Sequence, residues 1–119
     1  MKKILIVDDD PDMLINLKAS LTKKGFHILT IEDGLSAIVA STIFHPDLIL
    51  LDVHLNNNLD GREICYQLKH NDKTKDICVV MTSADVSKEE VSEVCEADDF
   101  IEKPFTLINL YSKIQAHIA

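Results

Sequence analysis

The chain has 119 residues, 46% of them apolar, and its 12 Lys and Arg stand against 20 Asp and Glu for a formal charge of −8. That is the length of one domain, expected over 1–119 with no effector segment, and long enough to bury a core without metal or disulfide staples. An acidic chain of pI near 4.9 with no basic block excludes direct nucleic-acid contact, and the shortness of every apolar run excludes a membrane span or secretion signal, so a cytoplasmic location is expected.

The first apolar run, Ile4 to Val7, is unbroken, and unbroken runs are the habit of parallel strands covered on both faces. A helix is predicted after Asp10, the candidate cap, with Pro11 in its first turn, Leu14, Leu17 and Leu21 at helical spacing, and Gly25 as its stop. The second strand is predicted from His27 to Ile31 and the second helix from Leu35 to Phe44, closed by His45 because a residue before proline avoids helical dihedrals. Leu48 to Leu51 forms the third strand, and Asn56 to Asn58 reads as a mobile loop. A third helix follows Gly61, with Ile64, Cys65 and Leu68 on one side. Ile77 to Met81 makes the fourth strand. The fourth helix, Ser87 to Glu96, opens on a capping box of Ser87 and Glu90 and carries a thin stripe of Val91, Val94 and Cys95. After a weak fifth strand at Phe100 and Ile101, a last helix shows a clean stripe at Leu107, Leu110, Ile114 and Ile118. Five strands alternating with five helices predict an α/β three-layer sandwich with right-handed crossovers. Cys65, Cys78 and Cys95 have no Cys-x-x-Cys spacing and read as small buried residues of a reducing compartment; the five histidines lack zinc spacing.

In such a sheet the ligand site lies beyond the carboxyl ends of the strands. Strand one ends on Asp8 and Asp9, strand three on Asp52, strand four on Thr82 and Ser83, and strand five on Lys103 and Pro104. Carboxylates crowded on one rim repel one another unless a cation intervenes, and an all-oxygen set favours a hard ion such as Mg²⁺. Carboxylates, metal, hydroxyl and lysine around one cavity are the parts of a phosphoryl-transfer site. Asp10 and Asp12, by contrast, read as helix-cap and dipole partners.

Four motifs in this order, Ile4 to Asp12, Leu50 to His54, Val80 to Ala84 and Lys103 to Phe105, resemble the receiver domain of two-component response regulators over essentially the whole chain. The resemblance implies a flavodoxin-like, doubly wound parallel sheet of order 2-1-3-4-5. It implies Asp52 as phosphoacceptor, Asp9 as a direct Mg²⁺ ligand, Asp8 as a ligand through water, and the His54 carbonyl as a backbone ligand, with Mn²⁺ an alternative ion. Lys103 then holds the phosphoryl group ahead of a cis bond to Pro104, and Ala84 lies beside it. Ser83, preferred over Thr82 by counting from Gly61, is the hydroxyl that moves toward the phosphoryl oxygen, and Phe100 is the aromatic that turns with it. His54 and Asp85, two positions beyond Asp52 and Ser83, are expected to gate hydrolysis. The implied partners are a cognate histidine kinase or phosphotransfer protein, a downstream protein, and a second copy through the face of the fourth helix, fifth strand and fifth helix.

Two departures accompany the resemblance. Asn56 to Gly61 is one residue longer than the usual loop and lacks its proline, which is expected to loosen the metal site. Cys95 to Asp99 lacks a Gly-Ala pair beside the usual output face. Two other classes compete with a phosphorylation switch. Asp8, Asp10, a hydroxyl, a lysine and the pair Asp98 and Asp99 superficially resemble haloacid-dehalogenase-type phosphatases, although the lysine follows the second acidic pair and the chain leaves no room for a cap. The other is a phosphorylation-independent interaction module. The switch reading makes the chain a regulatory domain with self-phosphorylation and slow autodephosphorylation only.

Overall fold

The computed structural model describes residues 1–118, with the side chains of 92–94 not described. Five strands, β1 (Lys3–Val7), β2 (His27–Ile31), β3 (Leu48–Asp52), β4 (Cys78–Ser83) and β5 (Asp99–Glu102), pair in parallel in the order β2-β1-β3-β4-β5. The helices are α1 (Pro11–Lys23), α2 (Ala37–Phe44), α3 (Gly61–Lys69), α4 (Lys88–Val94) and α5 (Leu107–Ile118). Successive strand side chains point to opposite faces, so each apolar run feeds two cores. Leu5, Val7, Ile49, Leu51, Val79 and Met81 meet Ala37, Ile64, Cys65, Leu68 and Val91 on one face. Ile4, Ile6, Leu48, Leu50, Val80 and Ile101 meet Leu14, Leu17, Leu21, Leu110 and Ile114 on the other. Each of these buried Leu and Ile side chains stabilises the fold by roughly 1.5–3 kcal/mol.

The caps are those the sequence announces. The Asp10 carboxylate accepts from the Asp12 and Met13 amides at 3.1 and 3.3 Å, with Pro11 opening α1. Gly25 adopts φ 96° beyond the end of α1, and the Phe26 amide reaches back to the Leu21 carbonyl at 3.2 Å, the left-handed closure that glycine adopts most readily. Ser87 accepts from the Glu90 amide at 3.2 Å.

Two boundaries differ from expectation. The regular α2 starts at Ala37, because Asp33 caps a single 3-10 turn over Gly34–Ser36, and Leu35 stays exposed. The α4 helix stops at Val94, since Cys95 turns extended to bury its thiol against the core, and the Val94 side chain expected in the stripe lies outside the described ones. The Asn56–Asn58 stretch forms a compact turn, with Asn57 and Asn58 at φ 63° and 58°, a conformation Asn tolerates better than most residues.

Candidate functional site

The sheet brings four strand ends to one rim. Asp8 leaves β1 buried, 1% exposed, with one carboxylate oxygen accepting from the Asp10 amide at 3.0 Å. Asp52 closes β3 at 6% exposure. Lys103 follows β5, its amide bonded to the Ser83 carbonyl at 2.8 Å and its own peptide to Pro104 cis. The Lys103 ammonium donates to Asp8 Oδ2 at 2.8 Å and Asp52 Oδ2 at 3.0 Å. Carboxylate oxygens of Asp8, Asp9 and Asp52 lie within 4.8 Å of one another. Residues 95 positions apart in sequence thus share one hydrogen bond.

The electrostatics follow from this crowding. Burial, followed by the charge of Asp8, pushes the Asp52 carboxyl above its ordinary range, while Lys103 and the His54 amide pull it back in part. Burial alone would depress the Lys103 ammonium, but its bonds to Asp8 and Asp52 hold it above an ordinary lysine. Three carboxylates against one ammonium leave two negative charges uncompensated in an all-oxygen cluster. That donor set fits a hard divalent cation.

Gly61, used in the sequence to mark the start of the third helix and to count toward β4, supports the site. Its amide donates to the Val53 carbonyl at 2.7 Å, and a Cβ built there would stand 1.9 Å from the Asp52 carbonyl oxygen. The available signal was a glycine in the first turn of a helix, directly after the acidic cap Asp60. That cap accepts from the Arg62 amide at 2.9 Å and pairs with its guanidinium at 2.7 Å, which holds the Asp60 carboxyl below its usual range. The loop before Gly61 is tied to itself: Asn56–Asn58 form a short turn, His54 bridges Asp60, and the Leu55 amide reaches the Leu59 carbonyl at 3.1 Å.

Two hydroxyls stand at the end of β4. Thr82 is the register partner of Asp52, two residues beyond the pair Leu50 and Val80 on the same sheet face. Ser83, one step on, is turned the other way. Its hydroxyl donates to Asp85 Oδ1 at 3.1 Å and accepts from the Asp85 and Val86 amides at 3.2 and 3.0 Å, closing the turn that carries the exposed Ala84. The Asp85 carboxylate also meets His54 Nε2 at 2.6 Å, an exposed pair at the mouth of the rim, and it is held below its ordinary pKa by His54 first and Ser83 second. Phe100 pairs with Met81 and is half-buried, lining a cavity of about 450 Å³ with residues 84–89 and Glu102.

Asp98 and Asp99, the second acidic pair of the phosphatase reading, sit at the opposite end of the sheet. Asp98 accepts from the Val79 amide at 2.8 Å at the start of β4, and Asp99 opens β5, bonded to Lys113 and His117 at 2.9 Å each. With about 3.3 Å of rise per strand residue, the length of β5 separates them from Lys103.

A sequence profile described as "Response regulator receiver domain" matches residues 4–115. The transcriptional regulatory protein PrrA of Mycobacterium tuberculosis is 33% identical over 114 residues, covering 96% of this chain and 48% of that protein. The alkaline phosphatase synthesis transcriptional regulatory protein PhoP of Bacillus subtilis is 34% identical over 116 residues, covering 97% of this chain and 48% of its own length. The chain thus spans about half the length of the curated relatives it matches. Among solved structures, the signal receiver domain of a signal transduction histidine kinase from Syntrophus aciditrophicus aligns with TM-score 0.89 and 30% identity over 99% of this chain and 90% of that one. The receiver domain of sensor histidine kinase PA1611 from Pseudomonas aeruginosa, solved with a magnesium ion coordinated in its active site cleft, shares the fold at TM-score 0.87 and 23% identity, over 98% of this chain and 97% of that one. A profile match across nearly the whole chain, with relatives of the same kind, makes this chain a member of the response regulator receiver domain family, the phosphorylation-dependent switch module of two-component signalling.

Proposed function

We propose that Asp52 is the phosphoacceptor of this chain and takes its phosphoryl group from a phosphohistidine of a histidine kinase or phosphotransfer protein. The observation that carries this reading is the Lys103 ammonium held between the buried carboxylates of Asp8 and Asp52, with Asp9 in the same cluster. An Asp52 oxygen attacks phosphorus, the P–N bond breaks, and its electron pair leaves on the imidazole, which is protonated. Lys103 is placed to exchange a carboxylate partner for a phosphoryl oxygen, so positive charge already stands where negative charge gathers in transfer. Asp8, Asp9, Asp52 and the His54 carbonyl are the residues that would hold Mg²⁺, or Mn²⁺ in its place. When bound, that ion supplies charge neutralisation for the transferring group. The magnesium in the PA1611 receiver domain lends this assignment support by analogy of fold.

The hydroxyl that turns toward the phosphoryl group is assigned to Ser83, the last residue of β4, which leaves its bonds to Asp85 and the Val86 amide to do so, with the backbone of Ala84 beside it. Phe100, beside the 84–89 loop, then passes the change to the surface formed by α4, β5 and α5, where a downstream protein binds. His54 and Asp85 stand where water must approach the acyl phosphate, and they gate its hydrolysis. The three free cysteines and a kinase phosphodonor are those of a cytoplasmic protein. No helix among the described residues is long and apolar enough to cross a membrane. The pI near 4.9 disfavours direct contact of this chain with nucleic acid.

Incubation with acetyl phosphate and Mg²⁺ should add the mass of one phosphoryl group as a base-labile adduct, absent from Asp52→Asn. Steady phosphate turnover without an adduct, or an adduct that survives Asp52→Asn, refutes the assignment.

A further inference from the structure

The exposed apolar residues are not scattered evenly. Leu35, Val39 and Ile43 are 68%, 61% and 75% exposed and recur every four residues, so they form one ridge about 12 Å long on α2 and the turn that leads into it. Ser36 and Ala37 are both right-handed helical, so the turn continues the spacing of the helix. From Gly34 to Phe44 there are eleven consecutive residues without a charge, in a chain whose net charge is −8.

We propose that this ridge is a self-association surface, on which a second copy of the chain docks with its α2 antiparallel about a two-fold axis at Val39. Three features of the page select that occupant. A ridge with Val39 at its centre and a larger aliphatic side chain at each end is self-complementary under such an axis: Val39 meets its own copy and Leu35 meets Ile43 of the second copy. Two chains of charge −8 repel across most orientations, and the uncharged α2 face is where they approach without opposed carboxylates. The ionic groups flanking the ridge are acidic at one end, Glu32 and Asp33 with Asp60 and Glu63 beside Leu35, and mixed at the other, where the Lys3 ammonium meets the Phe44 carbonyl at 2.6 Å near Asp47 and the exposed His45, so the antiparallel arrangement keeps the two acidic ends apart and opposes the two helix dipoles.

The three side chains expose roughly 400 Å², about half of what one partner contributes to a standard interface, so the dimer is weak, with Kd on the order of 100 μM. The surface is distinct from the α4, β5 and α5 face and does not depend on phosphorylation.

Sedimentation equilibrium of the unphosphorylated 119-residue chain, in a concentration series bracketing that value, should show a monomer–dimer equilibrium. Val39→Glu and Val39→Lys should each weaken it at least tenfold, by opposing like charges at the axis, and an equimolar mixture should associate more tightly than either variant alone. Circular dichroism checks that both fold, and Ile43→Ser, at the most exposed position of the ridge, gives an independent loss. A wild-type chain that stays monomeric, a Val39→Glu variant that dimerises like wild type, or a mixture no tighter than its components each overturns the proposal.

Discussion

Replacing Gly61 with Ala isolates the coupling between fold and site. A Cβ at this position would lie 1.9 Å from the Asp52 carbonyl oxygen, 2.9 Å from the Asp52 carbonyl carbon and 3.2 Å from Val53 Cα. A carbon and a carbonyl oxygen make ordinary contact at about 3.3 Å, so α3 and the end of β3 must part by roughly 1.4 Å. Backbone atoms on a central strand do not yield as a side-chain tip does. Gly61 has no left-handed dihedral to lose, and in a helix Ala is favoured over Gly by about 1 kcal/mol, which works against the clash. The net cost should therefore be at the upper end of the overpacking range, about 3 kcal/mol. Two other glycines calibrate this. Gly25→Ala meets nothing within 4 Å and loses only the φ 96° preference, about 1 kcal/mol. Gly34→Ala presses mainly on the Leu55 and Ile64 Cδ1 tips at 2.7 and 3.0 Å, which can rotate away, and should fall between. Urea midpoints at unchanged m values give the order, and the rate of Asp52 phosphorylation by acetyl phosphate should fall for Gly61→Ala alone, because that variant displaces the Asp52 backbone. A Gly61→Ala chain within about 0.5 kcal/mol of wild type, phosphorylated at the normal rate, refutes the close-approach argument.

Mg²⁺ titration should separate Asp9→Ala, which removes a member of the carboxylate cluster, from Asp12→Ala, which removes an exposed charge in the first turn of α1; the first should lose at least tenfold in affinity and the second less than twofold. His54→Ala should change the autodephosphorylation rate constant several-fold, and the double variant with Asp85→Ala should be non-additive because the two side chains share a 2.6 Å contact; additive effects in phosphate release would mean they act separately. Burial raises the Asp99 carboxyl, but His117 and Lys113 outweigh it and bring its pKa to about 2, below its unfolded value. The stabilisation is then complete above about pH 4 and is lost as pH falls toward 2, so Asp99→Asn should cost about 1–2 kcal/mol at neutral pH, discounted for solvent at Lys113, and the gap to wild type should close on acidification. A gap that persists in acid-range urea melts would assign the effect to packing.

The strands, the helix caps and most of the rim were legible in the chain because they are local properties. Where an unbroken apolar run gives way to Asp8, Asp52 or Lys103, the strand has reached solvent at its carboxyl end, and a parallel sheet puts those ends together. Asp10, Pro11, Gly25 and Ser87 act on amides a few positions away, so their neighbours in sequence suffice to read them. The choice between the two hydroxyls is harder to read, because the side-chain period of a strand is two and a shift of one exchanges Thr82, the register partner of Asp52, for Ser83, which closes the turn toward Asp85. Contacts between residues distant in sequence were hidden as well: the support Gly61 gives Asp52, and the contact between His54 and Asp85, 31 residues apart. The exposure of Leu35, Val39 and Ile43 was hidden differently. An apolar helix reads as a buried one in sequence, and only the packing of α2 shows that its core contacts are met by Ala37, Ile38, Ala40, Ser41 and Phe44, leaving Leu35, Val39 and Ile43 to water. Periodicity records which residues share a face, and the tertiary packing decides which face is covered.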